Sequence, residues 1–233
     1  MTEKTNNQQI KRMTALAMFA ALAYVIHFVH IPVGFLNLDF KDVIITVCGM
    51  YFGPLSGVFL AVLVPILEFV TVSETGPYGL IMNILSSVTF VGVASLIYRF
   101  KKTLSGAIVG LVSAVLSMTA VMIVANLVIT PYYMGVSLAE VGALIPKLLL
   151  PFNAIKAVLN ASLTLCLYKP LTSVLKRTGF GKKTPNNTTE QSGEVTKINT
   201  KTRTILVWTI GAIIAIISLC IIFFVLGGTV AIN

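Results

Sequence analysis

Long apolar stretches broken by short polar or turn-forming segments run through most of the chain, and their length suits a bilayer better than a water-soluble core. The first runs from about Thr14 to Val29 and stops at His30-Ile31-Pro32-Val33-Gly34, where proline and glycine punctuate the helix. A short second stretch, about Val43 to Phe52, is closed by Gly53-Pro54, and a third continues from Leu55 to about Val70 with Pro65 inside it. The fourth covers about Leu80 to Tyr98, and the fifth runs from about Leu104 to Ile129, ending at Thr130-Pro131. A sixth is expected to start at Pro151, because proline is tolerated in a first helical turn, and to end at Tyr168 before Lys169-Pro170.

The pattern then changes. Residues 178–204 are polar and rich in threonine and asparagine, the composition of a flexible linker. They are followed by ILVWTIGAIIAIISLCIIFFVL, the most uniform apolar run of the chain. The expected architecture is an all-α polytopic membrane protein: a six-transmembrane-helix body over residues 1–177, a linker over 178–204, and a seventh transmembrane helix over 205–228. Composition agrees, since 56% of the 233 residues are hydrophobic and only 11% charged, against roughly a quarter charged in soluble domains.

Charge sets the orientation. Fourteen of the 17 lysines and arginines fall in three clusters: before the first span, after the fourth, and between the sixth and seventh. Basic residues flanking spans stay on the cytoplasmic side. An even number of crossings separates the clusters, so one topology satisfies all three: N-terminus and linker in the cytoplasm, C-terminus outside. The net charge of +9 is then a topology signal and not a nucleic-acid patch. The first span is longer than a signal-peptide core and no small-residue cleavage pattern follows it, so a retained helix is expected.

Several chemistries lack their motifs. There is no GxxxxGK[ST], no HExxH and no GxSxG, so no ATP site, metalloprotease or serine hydrolase is indicated. His27 and His30 are three apart, a spacing open to a metal, but with no carboxylate or cysteine beside them in sequence two interfacial imidazoles are the simpler reading. The expectation is a binding or transport protein and not an enzyme, with neither metal nor cofactor.

The remaining polar residues are unevenly spread. Asn153, Lys156 and Asn160 in PFNAIKAVLN lie at i, i+3 and i+7 and share one face of the sixth span. A charge at mid-helix costs ~2.5–3.5 kcal/mol on insertion scales and usually faces protein or a wet cavity; the alternative is a lysine that snorkels to the headgroups. Asn126 in the fifth span and Asn83 in the fourth lie toward the same outer end, which makes a site the economical reading. The segment IPVGFLNLDFKD, with Phe35, Leu36, Phe40, Asn37, Asp39 and Lys41, is expected to be its lid or else an ordinary connecting loop. An ion-coupled transporter would need an intramembrane charge pair, for which Glu68 with Lys156 is the candidate.

LNLDFKDV leading to YFGPLSG, then GPYGLIMN, NLVITPYY and PFNAIKAVLN, together resemble the riboflavin-binding S component of energy-coupling factor (ECF) transporters over about residues 8–177. The LDFxD-to-FGP pattern is general to S components, while GPYGLIMN with the N-x-x-K of the sixth span points to the flavin branch. The resemblance implies riboflavin held near the outer face. Asn153 and Lys156 would meet the ribityl hydroxyls and Asn126 the polar edge of the ring system. Asn37, Leu38 and Phe40 would lie in the covering loop, with Lys41 and Asn83 as further ligand-binding residues. It also implies a membrane coupling subunit with two ATPase subunits, contacted through a small-residue stripe on the first span for which Ala17 and Ala21 are the candidates, and release of vitamin by toppling of the loaded body. Internal packing is the alternative use of those alanines. The linker and seventh span depart from the six-helix plan and leave open a flavin receptor or scaffold in another assembly.

Overall fold

Helices α1 (Thr2–His27), α2 (Lys41–Phe52), α3 (Pro54–Thr71), α4 (Gly76–Phe100) and α5 (Leu104–Met134) follow one another, with strands β1 (Val29–Val33) and β2 (Leu36–Asp39) between α1 and α2. After α5 come α6 (Leu138–Leu144), a π-helical turn (Ile145–Leu149) and α7 (Leu150–Arg177), then α8 (Thr209–Ile221) and β3 (Ala231–Ile232). The structure is a computed structural model and describes residues 2–33, 36–72, 76–177, 209–221 and 231–232. The linker expected at 178–204, Phe35 of the expected lid and both ends of the seventh span lie outside them.

Among the described residues, five segments are long and apolar enough to cross a membrane: Gln9–His27, Pro54–Thr71, Gly76–Phe100, Leu104–Met134 and Leu138–Tyr168. The second span is of another kind. At 12 residues and 1.5 Å rise it is only ~18 Å long, and every residue from Lys41 to Met50 is buried. Beyond its charged first turn it is apolar on nearly every face because protein surrounds it, the expected pattern for an enclosed helix. α1, α3, α4 and α7 all pack against it.

Two helix ends differ from the sequence expectation. α5 passes through Pro131 to Met134 and ends at Gly135, whose φ of 65° is a left-handed cap that glycine adopts without a Cβ penalty. α7 does not begin at Pro151: Leu150 continues directly from the π turn, and the helix carries Pro170 internally. Prolines are tolerated inside membrane helices because neighbouring groups re-satisfy the freed carbonyls, so proline alone was a poor stop signal.

Small residues let the backbones approach. A Cβ at Gly57 on α3 would lie 2.7 Å from the Gly49 Cα on α2 and 2.8 Å from Val91 Cγ1 on α4. The cluster built on this contact includes Phe19, Ala23, Ile45, Cys48, Leu60 and Val91. A second joins α4 and α5 through Phe90, Ala94, Ala107, Leu111 and Met118. Gly57→Ala should destabilise the body by about 1–3 kcal/mol, the usual cost of overpacking; a denaturation midpoint equal to that of the unsubstituted chain would contradict so tight a contact.

The body is helical, as expected, but the segment after α1 is not a loop. β1 and β2 form an antiparallel hairpin with His30 opposite Asp39, Ile31 opposite Leu38, Pro32 opposite Asn37 and Val33 opposite Leu36. β3 pairs with β1 to complete a three-stranded sheet of order β2-β1-β3.

Candidate functional site

The ends of five helices and the hairpin line a cavity of about 440 Å³ that is open on one side. It lies at the C-terminal ends of α1, α3 and α5 and the N-terminal ends of α4 and α7, opposite the end that carries Arg12, Arg99, Lys101 and Lys102. Phe28, Phe69, Tyr78, Tyr133 and Phe152 give it aromatic walls, with Met82, Met122 and Ile129 among the aliphatic ones. Polar groups converge on it from every side: His27 and His30, Asn37 and Asp39, Glu68, Asn83 and Ser86, Asn126 and Thr130, Asn153 and Lys156.

The face-sharing argument for α7 places Asn153 and Lys156 together. Both are buried and both line the cavity, so the lysine does not snorkel. Lys156 Nζ donates to Asp39 Oδ2 at 3.1 Å, tying α7 to the lid hairpin. An ammonium has three protons to donate, which leaves capacity for a ligand. Asn153 Nδ2 donates to the Leu149 carbonyl at 2.7 Å, a bond within its own helix that orients the amide. Asn126 is fixed in the same way: its Nδ2 donates to the Met122 carbonyl at 2.6 Å and its Oδ1 accepts from Thr130 Oγ1 at 3.0 Å. Asn83 lines the wall and donates to Glu68 Oε2 at 3.0 Å.

Three of the sequence candidates are not on the cavity wall. Period-2 alternation puts His30, Asn37 and Asp39 on one face of the hairpin and Ile31, Val33 and Leu38 on the other. Leu38 therefore faces away from the cavity, fully buried against Phe152, Leu159 and Ala215. Phe40 packs on the edge of that apolar cluster. Lys41, at the first turn of α2, is fully buried and bonded to Glu68, with Asp39 Oδ2 3.7 Å away. In the covering segment Leu36, Asn37 and Asp39 line the cavity.

Asp39, expected only as a polar residue of the lid, and Glu68, expected only as a partner of Lys156, both line the cavity. Asp39 joins the hairpin to two lysines. Burial would raise its pKa, but the ammonium groups of Lys156 and Lys41 outweigh burial and hold it down at about 2. Glu68 accepts from Lys41 and Asn83, with His27 Nδ1 3.2 Å from its other oxygen. The Glu68–Lys156 pair required by an ion-coupled reading is not among the ion pairs of the described residues; each group has a different partner. His27 and His30 stack with ring centroids 6.1 Å apart and belong to the cavity wall.

Among the described residues, Asp39 Oδ1, His30 Nδ1 and Ser86 Oγ line this cavity, are buried, and have no hydrogen-bond partner. Aromatic walls with a few fixed amides, one ammonium and one carboxylate suit a flat small molecule that carries hydroxyl or carbonyl groups. On α1, Ala15, Phe19, Ala20 and Ala23 turn inward, whereas Ala17 and Ala21 are exposed on the opposite face.

Comparison with known proteins gives a consistent picture. The family model for the ECF transporter substrate-specific component matches residues 11–168. The riboflavin transporter RibU of Staphylococcus aureus (strain TCH60) is 33% identical over 184 residues, covering 75% of this chain and 97% of that protein. The riboflavin transporter FmnP of Bacillus subtilis (strain 168) is 23% identical over 163 residues, covering 64% and 86%. A solved S component of a bacterial ECF transporter superposes with a TM-score of 0.63 at 31% identity, covering 72% of this chain and 99% of that one.

Proposed function

Because the chain belongs to the family of ECF transporter substrate-specific components, we propose that it captures riboflavin from outside the cell and delivers it to a coupling subunit driven by two ATPase subunits. The observation that carries this reading is the convergence of Asn126, Asn153 and Lys156 on one aromatic-walled cavity. Riboflavin joins a planar ring system to a polyol. The ring's apolar faces match the aromatic walls, and its edge, which both donates and accepts, matches amides such as Asn126. The ribityl hydroxyls match Lys156 as donor and the Asn153 carbonyl as acceptor. Flavin is cargo here and not a cofactor, and transport energy comes from the partner subunits. The chain sits in a bacterial cell membrane with its N-terminus and the 178–204 linker inside and its C-terminus outside, which puts the cavity on the supply side.

The test is to purify the full chain in detergent, look for the flavin absorption spectrum, strip the flavin, and titrate riboflavin back. Tight, saturable binding supports the proposal; a chain that neither co-purifies with flavin nor rebinds it refutes it. The partner surface is tested separately. Ala17 and Ala21 lie four apart on an exposed helix face, where small residues permit close helix-to-helix approach. Ala17→Leu with Ala21→Leu should leave flavin affinity within about twofold and cut uptake by cells at least tenfold. Unimpaired uptake would show that the coupling subunit docks elsewhere.

A further inference from the structure

The family match stops at residue 168, yet the elements beyond it reach back to the lid. α8 packs along α7: a Cβ added at Gly211 would lie 3.1 Å from Cys166 Sγ and 3.5 Å from the Ser162 carbonyl oxygen. One turn on, Ala215 is 6% exposed and belongs to the same apolar cluster as Ile31, Val33 and Leu38 of the hairpin and Phe152 and Leu159 of α7. Leu219 packs against that cluster from the next turn. Then β3 adds a third strand to the hairpin, with Ala231 opposite His30 and Ile232 opposite Val29.

The hairpin is thus held at two places by the C-terminal segment. Its apolar face, the one turned away from the cavity, rests on α8 as well as α7. The edge of β1 that would otherwise present unpaired backbone groups is covered by β3, which is strand addition within one chain. We propose that α8 and β3 form an intramolecular brace that keeps the hairpin closed over the cavity and so lengthens the residence of the bound ligand. Lifting the hairpin breaks the Lys156–Asp39 contact; it must also break the β1–β3 ladder and uncover the cluster around Ala215. Ala215 and the backbone of Ala231 and Ile232 act by position in this scheme.

The brace predicts slower passage of ligand past the hairpin, read most directly as the rate of release. This readout rests on riboflavin as the ligand, so a second, ligand-free readout accompanies it. In the full chain carrying Cys220→Ser, with Val29→Cys and Ile232→Cys added, the facing Cα positions of an antiparallel pair lie within disulfide range. Oxidation should slow riboflavin release at least tenfold, and reductant should restore it. Ala231→Pro with Ile232→Pro, which removes the amide donors of β3, should speed release about tenfold and raise hydrogen exchange at residues 29–33. A disulfide that fails to form would overturn the brace. So would identical release from oxidised and reduced protein, or unchanged release and exchange in the proline variant. If the unsubstituted chain binds no riboflavin, the proposed cargo is wrong, and the exchange experiment still decides the brace.

Discussion

Lys156→Met is expected to weaken riboflavin binding about 10- to 150-fold, since a hydrogen bond to a charged group contributes ~1.5–3 kcal/mol. Two effects combine. The ammonium lies on the cavity wall with protons to spare, so direct contacts to hydroxyl oxygens are lost. Its bond to Asp39 Oδ2 also holds the lid hairpin to α7, so the hairpin loses one of its anchors. The two parts separate in a cycle with Asp39→Asn. If the lysine acts only through the hairpin, the double variant binds as weakly as either single one; if it also touches ligand, Lys156→Met is the weaker binder of the two single variants. Fluorescence titration gives the affinities, and equal affinity in wild type and Lys156→Met would remove the lysine from the site.

The largest stability effect is expected at Lys41. This side chain is fully buried, bonded to Glu68, and 3.7 Å from Asp39 Oδ2. Removing one partner of a buried ion pair strands the other, at a cost of about 3–5 kcal/mol, whereas replacing both by apolar groups is often close to neutral. Lys41→Met should therefore unfold at markedly lower denaturant, and Lys41→Met with Glu68→Leu should recover much of the loss. Asn83, which also donates to Glu68, limits that recovery. A single variant as stable as the unsubstituted chain would mean the pair is dispensable to the fold.

The membrane helices were legible because a bilayer demands about 20 apolar residues per crossing, a signal strong enough to survive Pro65 and Pro131. The inward face of α7 was legible for a related reason, since two asparagines and a lysine at helical spacing are costly in hydrocarbon. Only Asn153 and Lys156 line the cavity, however, while Asn160, further along, is buried off its wall. The hairpin was not legible. Four or five residues per strand, interrupted by Pro32 and Gly34, carry too little alternation to distinguish a strand pair from a loop. Missing it reversed Leu38, because in a strand the neighbour of a cavity residue points the other way. Asp39 and Glu68 were visible as acids, but their partners lie far away in sequence, at Lys156 and Lys41, and no local pattern joins them. The contacts of α8 were equally hidden: a uniform apolar run announces a span and says nothing about which of its faces meets protein.

The α2–α3 pair is fastened at both extremities. Gly53, with φ 107°, turns the chain at one end beside the Gly49–Gly57 contact, and Lys41 with Glu68 closes the other. Two rods joined top and bottom form a stiff frame that resists both shear and splaying. Access to the cavity is therefore lopsided, with α3 serving as a fixed jamb and the strands as the door. An antibody fragment raised against the strands should trap cargo inside or out, while one gripping the exposed end of α3 should leave traffic undisturbed.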